Sequence, residues 1–422
     1  MDYSRETSNG RSEALRFQKV RLILVILTGI SVVLELSPAF IIIPSMSILL
    51  MMAEEKFNYR LILSRVSGKA YFLTLIFAIQ ALWFLPMILD TGSTRYVERT
   101  LPFLLYPLMI SSTSINRAQL RVVIKSFVGA VAVSYLLSLL AAVYHFKFSV
   151  PRWGRASDFF FHEQFTMGLF NIHPTYYSLL GCVATLFTLV FLTGVRRVLL
   201  IVFLTFIILL INARITQVIQ AALVLSFALK DLSKGLSVKR FAILVASGIA
   251  LFFAFKLTGS IYDYPHRKIL VNVKSAWERS YEADIGDADG GIVMRMAMWR
   301  SAMNVIGEHP ILGVGLGYEN HYLTTEYQKN KFSFLAQNAF NAHNQLLSYT
   351  IGLGLLGISL LAAVYFRLLA EAYKKRCRQY LAFLAIFACA ALTESLFNRL
   401  LGVSLFAFFN SLLILKLANN DK

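Results

Sequence analysis

Apolar stretches of about twenty residues recur along the chain, broken by short polar connectors. Each is long enough to cross roughly 30 Å of hydrocarbon as a helix, and none shows the alternation of a barrel strand. The pattern predicts an all-α, polytopic membrane protein. Candidate spans fall near 20–36, 38–53, 70–90, 100–114, 127–145, 174–195, 198–213, 216–229, 241–257, 345–366, 379–397 and 400–416, about twelve in all. A polar, arginine-bearing head precedes the first without a small-residue cleavage site, so no removable leader is expected. Residues 1–257 then hold helices 1–9, 258–344 form one large loop, and 345–422 hold helices 10–12. A loop of that length is functional or separately folded, so it should contain helices of its own.

Charge gives the orientation. Lysine and arginine gather in "RSEALRFQKVR", "EEKFNYRLILSRVSGK", "INRAQLRVVIK", "VRRV", "KDLSKGLSVKR" and "RLLAEAYKKRCRQ", one cluster per alternate connector. This positive-inside pattern puts both termini in the cytoplasm and the large loop on the outer side of the membrane. The formal net charge of +18 therefore reflects membrane lipids rather than nucleic acid, for which no basic-aromatic module is visible. A composition that is 57% hydrophobic and 15% charged excludes a water-soluble domain of this length. Cys182, Cys377 and Cys389 fall in apolar spans or an inner connector, and no CxxC spacing suggests zinc.

Within the loop, "DYPHRKILVNVKSAWERSYE" spaces Ile269, Val273, Trp277 and Tyr281 as one face of a surface helix. After the polar break "ADIGDADGG", the stretch "IVMRMAMWRSAMNVIGEHP" carries a stripe of Ile292, Met296, Trp299, Met303 and Ile306, bordered by Arg295. "GVGLG" reads as a flexible turn, lacking the strand–helix setting of a phosphate loop.

All seven histidines fall at or beyond the outer face, where polar residues are free to go. His343 differs by position. It stands where the loop rejoins the bilayer, before Asn344 and Gln345 and then Gly352, Gly354 and Gly357, which permit close helix approach. From position alone, a proton-accepting role and an interfacial hydrogen-bonding role are both open. Arg214, in the tight outer turn of "LLINARITQVI", runs against the charge asymmetry; it either snorkels to headgroups or captures an anion. Arg295 likewise reads as anion capture or as an exposed helix arginine. Glu394, Asn398 and Arg399 in "LTESLFNRLLG" suggest a Glu–Arg pair at the outer end of the last hairpin, structural or site-lining. Asp284, Asp287 and Asp289 lack the remaining positions of a calcium loop and read as a solvated break, so no metal site is expected.

The order and sidedness of "NARITQ", "MRMAMWRSAMNVIGEHPILGVGLG" and "AHNQLLSYTIGLGLLG" resemble the bacterial O-antigen ligase superfamily, which also includes O-antigen polymerases and protein O-oligosaccharyltransferases. The likeness runs from "HPTYYSLLG" at 173 to "TESLFNRLLG" near 402. It implies a membrane-embedded, inverting glycosyltransferase of the GT-C kind, acting at the periplasmic face without metal or cofactor. The implied donor is a glycan on undecaprenyl pyrophosphate. The implied acceptor is lipid A–core for a ligase, or another lipid-linked repeat for a polymerase of O-antigen or exopolysaccharide. By position, the family's arginines fall on Arg214 and Arg295 and its histidine on His343; Asn344, Glu394, Arg399 and His173 would line the site. A flippase or transporter is a remote alternative, since the polar residues gather at one face rather than at mid-bilayer.

Overall fold

A computed structural model describes residues 3–65, 68–148, 165–166, 168–232, 273–282, 285–286 and 290–417. The expected span at 241–257, the first part of the large loop, most of 146–173, and the loop aspartates lie outside them.

The described residues are helical, with no strand among them. α1 (Tyr3–Val33) and α2 (Ala39–Glu54) form a packed hairpin. There follow α3 (Tyr59–Arg65), α4 (Gly68–Thr91), α5 (Arg95–Thr100), α6 (Pro102–Ser112), α7 (Arg117–Phe148), α8 (Pro174–Phe191), α9 (Gly194–Ile211) and α10 (Arg214–Leu232). The outer unit contributes α11 (Val273–Arg279), α12 (Gly290–Glu308), α13 (Glu319–Lys329) and α14 (Ser333–Gln337). α15 (Gln345–Lys374), α16 (Arg378–Ala391), a 3-10 turn (Leu396–Asn398) and α17 (Leu400–Leu412) complete the chain.

Among the described residues five helices are long and apolar enough to cross a membrane: α4, residues 117–144 of α7, α8, α9 and α15. Four shorter apolar stretches accompany them. The protein is a multi-pass membrane protein, though the apolar pattern overstates helix length in places. The expected span 379–397 stops at Ala391, and a loop with a 3-10 turn carries Glu394 and Asn398 outside any α-helix.

Apolar on every face, α8 and α17 are wrapped by the other helices. Phe127, Phe187, Phe383 and Phe409 join their rings at this centre. By contrast α4, α9 and α15 leave Leu82, Leu89, Val195, Leu199, Leu355 and Phe366 exposed, a surface suited to lipid rather than water.

The outer unit has a core of its own, in which Val293, Ala297, Met298, Ala302 and Val305 of α12 meet Leu323 and Tyr327 of α13. The buried stripe of α12 is thus rotated from the expected one, and Met303 is exposed. Small side chains at 297, 301 and 302 let α13 approach, so the larger residues are displaced to the flanks. Of the expected surface helix only residues 273–282 lie in the described residues, helical over Val273–Arg279. Trp277 and Tyr281 are exposed there, ring against ring.

The stretch 313–317, expected to be a flexible turn, belongs to a strap over 310–318 that is pinned between α4 and α15. α15 breaks at Gly354, whose φ of 63° and ψ of −175° no side chain tolerates. The amides and carbonyls freed by the break pair with the strap: Val314 N and Gly315 N donate to the Ile351 and Gly352 carbonyls at 2.8 and 2.9 Å. In the other direction, Leu355 N and Leu356 N donate to the Pro310 and Ile311 carbonyls at 2.8 and 3.1 Å. Trp83 Nε1 holds the Leu312 carbonyl at 2.9 Å, and Tyr318 OH donates to Asp90 at 2.6 Å. The glycines of α15 therefore serve close approach, as expected, but chiefly to an irregular strap rather than to another helix.

Candidate active site

His343 begins the site. It adopts the left-handed region, φ 44°, in a turn where its N–H donates to Asn341 Oδ1 at 2.8 Å. Asn344 follows as the N-cap of α15, its Oδ1 accepting from Leu346 N and Leu347 N at 2.9 and 3.2 Å. The other end of that carboxamide donates to the Leu392 carbonyl at 3.1 Å, tying the His343 turn to the loop after α16. That loop delivers Glu394. Its Oε1 lies 3.4 Å from His343 Nδ1, with the imidazole 21% and the carboxylate 6% exposed.

Two more residues of the expected set act on this carboxylate. Burial would raise the Glu394 pKa, but the close approach of His343, with the fields of His173 and Arg295, holds it below the usual carboxyl range. His173 caps the start of α8, its ring 5.9 Å from that of Tyr176. Arg295 projects from α12, where burial lowers its pKa; the charge of Glu394 opposes this and that of Arg214 adds to it. A guanidinium nevertheless stays charged at neutral pH.

Arg214 owes its place to the "NARITQ" turn. Asn212 ends α9 in the left-handed conformation, φ 55°, and Arg214 starts α10 two residues later. Thr216 Oγ1 donates to Ser178 of α8 at 2.8 Å and Gln217 Nε2 to Asn212 Oδ1 at 3.3 Å, fixing the turn against the centre of the bundle. The structure thus gathers Arg214, Arg295, His343, Glu394, His173 and Asn344 into one mouth between the outer unit and the helix ends.

Arg399 stands apart from the expected pairing. No Glu394–Arg399 ion pair occurs among the described residues: Glu394 turns to His343, while Arg399 lies over the Tyr176 ring at 5.7 Å and its charge acts on Glu35. The 3-10 turn between the two residues sends them in different directions. Tyr176 joins both groups, since its hydroxyl donates to the Ser395 and Leu396 carbonyls and it feels Glu394, Arg399 and Arg99.

Two neighbours were not singled out by sequence reasoning. Arg99, stacked over Tyr96 at 4.6 Å, sits on the short helix α5 in a connector that runs against the charge asymmetry, the same signal that marks Arg214. Glu319, buried at the start of α13, gave no signal. Its Oε2 accepts from Ser348 Oγ and, at 3.2 Å, from Asn398 Nδ2, so it clamps α13 to α15 and the 3-10 turn. Burial raises its pKa, against the lowering effect of those hydrogen bonds, the Ala342 amide and Arg99. The native state then holds a proton that the unfolded chain releases near pH 4.3, so this group costs stability as pH rises through that interval. Glu319→Gln should unfold at the parent's temperature at pH 4 and at or above it at pH 8. Glu319→Ala, leaving Ser348 and Asn398 unpaired, should lose about 1–3 kcal/mol. Thermal unfolding in detergent at the two pH values measures both.

No three of His, Cys, Asp and Glu come together as a metal site among the described residues. The mouth instead offers guanidinium groups for an anion and a carboxylate-backed imidazole for a proton.

The profile of a known family, described as O-antigen ligase, matches residues 180–362. Residues 180–362 are an O-antigen ligase family domain. That family is one of membrane glycosyltransferase-like enzymes, and the match relates this domain to the O-antigen ligase and polymerase superfamily. Arg214, Arg295 and His343 lie inside the matched domain, whereas His173 and Glu394 reach the mouth from outside its limits, and Arg399, which stands apart, is outside them too. No curated protein matches the chain.

Proposed function

We propose that the chain is an O-antigen ligase, moving a glycan from undecaprenyl pyrophosphate to a sugar hydroxyl of lipid A–core at the periplasmic face of the inner membrane. The observation that carries the reading is the linked set at the mouth: Glu394 against His343, its field reaching Arg295, and Arg214 reaching Arg295 in turn. The acceptor oxygen attacks the anomeric carbon from the face opposite the leaving group, inverting it, as the bond from that carbon to the diphosphate oxygen breaks. The proton passes to His343 Nε2, and Glu394 stabilises the imidazolium through Nδ1. The electron pair leaves on the diphosphate, whose charge Arg214 and Arg295 bind. Extensive burial of Arg295 and Glu394 strengthens both effects over their value in water.

Arg214→Ala and Arg295→Ala should each lower transfer roughly 10²-fold, by analogy with loss of one transition-state donor. Arg300→Ala is the contrast. Its guanidinium donates to the Ser280 carbonyl at 2.7 Å and Asn330 Oδ1 at 2.9 Å and stacks on Tyr281, so it staples the outer unit. Its loss should cost stability, about 1.5–3 kcal/mol, with the rate of folded enzyme within about threefold of the parent. Transfer assays with purified donor and acceptor, beside unfolding curves, separate the two classes.

A polymerase would use the same mouth with a second lipid-linked repeat as acceptor. Lipopolysaccharide from a deletion strain decides between them. Loss of all capped lipopolysaccharide supports the ligase; retention of core bearing a single repeat supports the polymerase.

A further inference from the structure

Arg99 and Arg399 take no part in the mechanism above, yet they belong to one corner of the outer face. α5, which carries Arg99, packs against α17, whose N-cap is Arg399. Each guanidinium lies over a tyrosine ring, Arg99 over Tyr96 at 4.6 Å and Arg399 over Tyr176 at 5.7 Å. Neither makes a hydrogen bond or an ion pair among the described residues. A ring that covers one face of a guanidinium leaves its N–H edge for a bidentate partner. The carboxylates whose charge the two arginines feel do not fill that role. Glu319 accepts from Ser348 and Asn398, and Glu35 Oε2 has no hydrogen-bond partner among the described residues. Arg99 is half-buried, which strengthens its field over that of a solvated cation, while Arg399 is exposed and open to a ligand.

This corner adjoins the reacting groups through Tyr176. The Tyr176 hydroxyl donates to the Ser395 and Leu396 carbonyls at 3.1 and 3.2 Å, and those are the two residues after Glu394. The arginines nevertheless form two separate pairs: Arg295 feels Arg214 and Glu394, whereas Arg99 feels Tyr176 and Glu319.

We propose that Arg99 and Arg399 form a second anion site, which holds a phosphate group of the acceptor lipid while the donor's diphosphate occupies Arg214 and Arg295. The proposal deepens the reading of the mouth and rests on it. Two phosphorylated lipids brought to one imidazole repel each other, and a guanidinium pair for each offsets that repulsion. The acceptor hydroxyl then reaches His343 from the Tyr176 side. A phosphorylated lipid A–core and a diphosphate-linked repeat both present the chemistry the pair recognises.

Binding of acceptor to the purified protein, without donor, reads this site apart from turnover. Lipid A–core should bind the parent about tenfold or more tighter than the same lipid stripped by a phosphatase, the range for a charge-assisted hydrogen bond. Arg99→Gln and Arg399→Gln should each remove most of that preference and leave affinity for the stripped lipid within about twofold of the parent. Arg399 is exposed, so its variant keeps the test open if Arg99→Gln folds poorly. In transfer assays both should raise KM for phosphorylated acceptor about tenfold and leave donor KM within about twofold. A preference for phosphate found only with a diphosphate-linked repeat, and lost in both variants, keeps the site and moves the reading to a polymerase. No preference with either acceptor overturns the site. So does a rise in donor KM alone, or competition by phosphatidylglycerol as strong as by the phosphorylated acceptor. If the parent binds with the expected preference but transfers to neither acceptor, it is the functional reading that falls.

Discussion

Replacing His343 by alanine should lower glycan transfer by roughly 10²–10⁴-fold, the range for loss of a positioned proton acceptor. Position 343 also carries backbone strain, because its φ of 44° is a conformation that side chains other than asparagine and aspartate adopt reluctantly. His343→Asn therefore serves as the companion variant: asparagine tolerates that backbone yet cannot accept the proton. Both should lose activity together, while only the alanine variant should lose a little stability. Glu394→Gln should lie between them and the parent, about tenfold down, since the imidazole keeps its place but loses its counter-charge. The carboxylate's lowered pKa means that this support is fully present above the ordinary carboxyl range and fades only as pH falls through the folded-state value. Transfer from the lipid diphosphate, measured with unfolding temperature in the same preparation, tests the set. Undiminished transfer by His343→Asn would remove the proton-acceptor assignment.

The second large effect is structural. Gly354→Ala should prevent a stable fold. An added methyl would press on the Ile311 carbonyl and the Gly313 nitrogen, on backbone that cannot move aside without breaking the strap. The φ/ψ cost is about 1–3 kcal/mol and the overpacking about as much again. The sum is a large fraction of a domain's whole stability, about 5–15 kcal/mol. Gly129→Ala is the control, for nothing lies within 4 Å of the place its methyl would take on α7. Size-exclusion and thermal unfolding after mild extraction should show aggregated or sharply destabilised Gly354→Ala protein beside parent-like Gly129→Ala protein.

Apolar periodicity read directly into the helices, because it depends on residues near in sequence, and position along the chain together with the family resemblance marked Arg214, Arg295 and His343 as candidates. Partner choice was not legible in this way. Glu394 and Arg399 stand five apart and read as a pair at the outer end of the last hairpin, yet the helix stops at Ala391 and the 3-10 turn parts them. Glu319 was invisible for a related reason: its partners, Ser348 and Asn398, are 29 and 79 residues away. The strap was misread because three positive-φ glycines at 313, 315 and 317 resemble a flexible turn unless the gap they fill in α15 is known.

The break at Gly354 divides α15 between two bodies. Leu347 and Ile351 pack in the core of the outer unit, together with Leu335 and Ala342, whereas Val364 and Leu368 pack in the bundle. A recombinant fragment cut at residue 344 would thus be truncated through its own interior and would expose the seam it left behind. Anyone wishing to express the outer unit alone needs the first two turns of the following helix to travel with it.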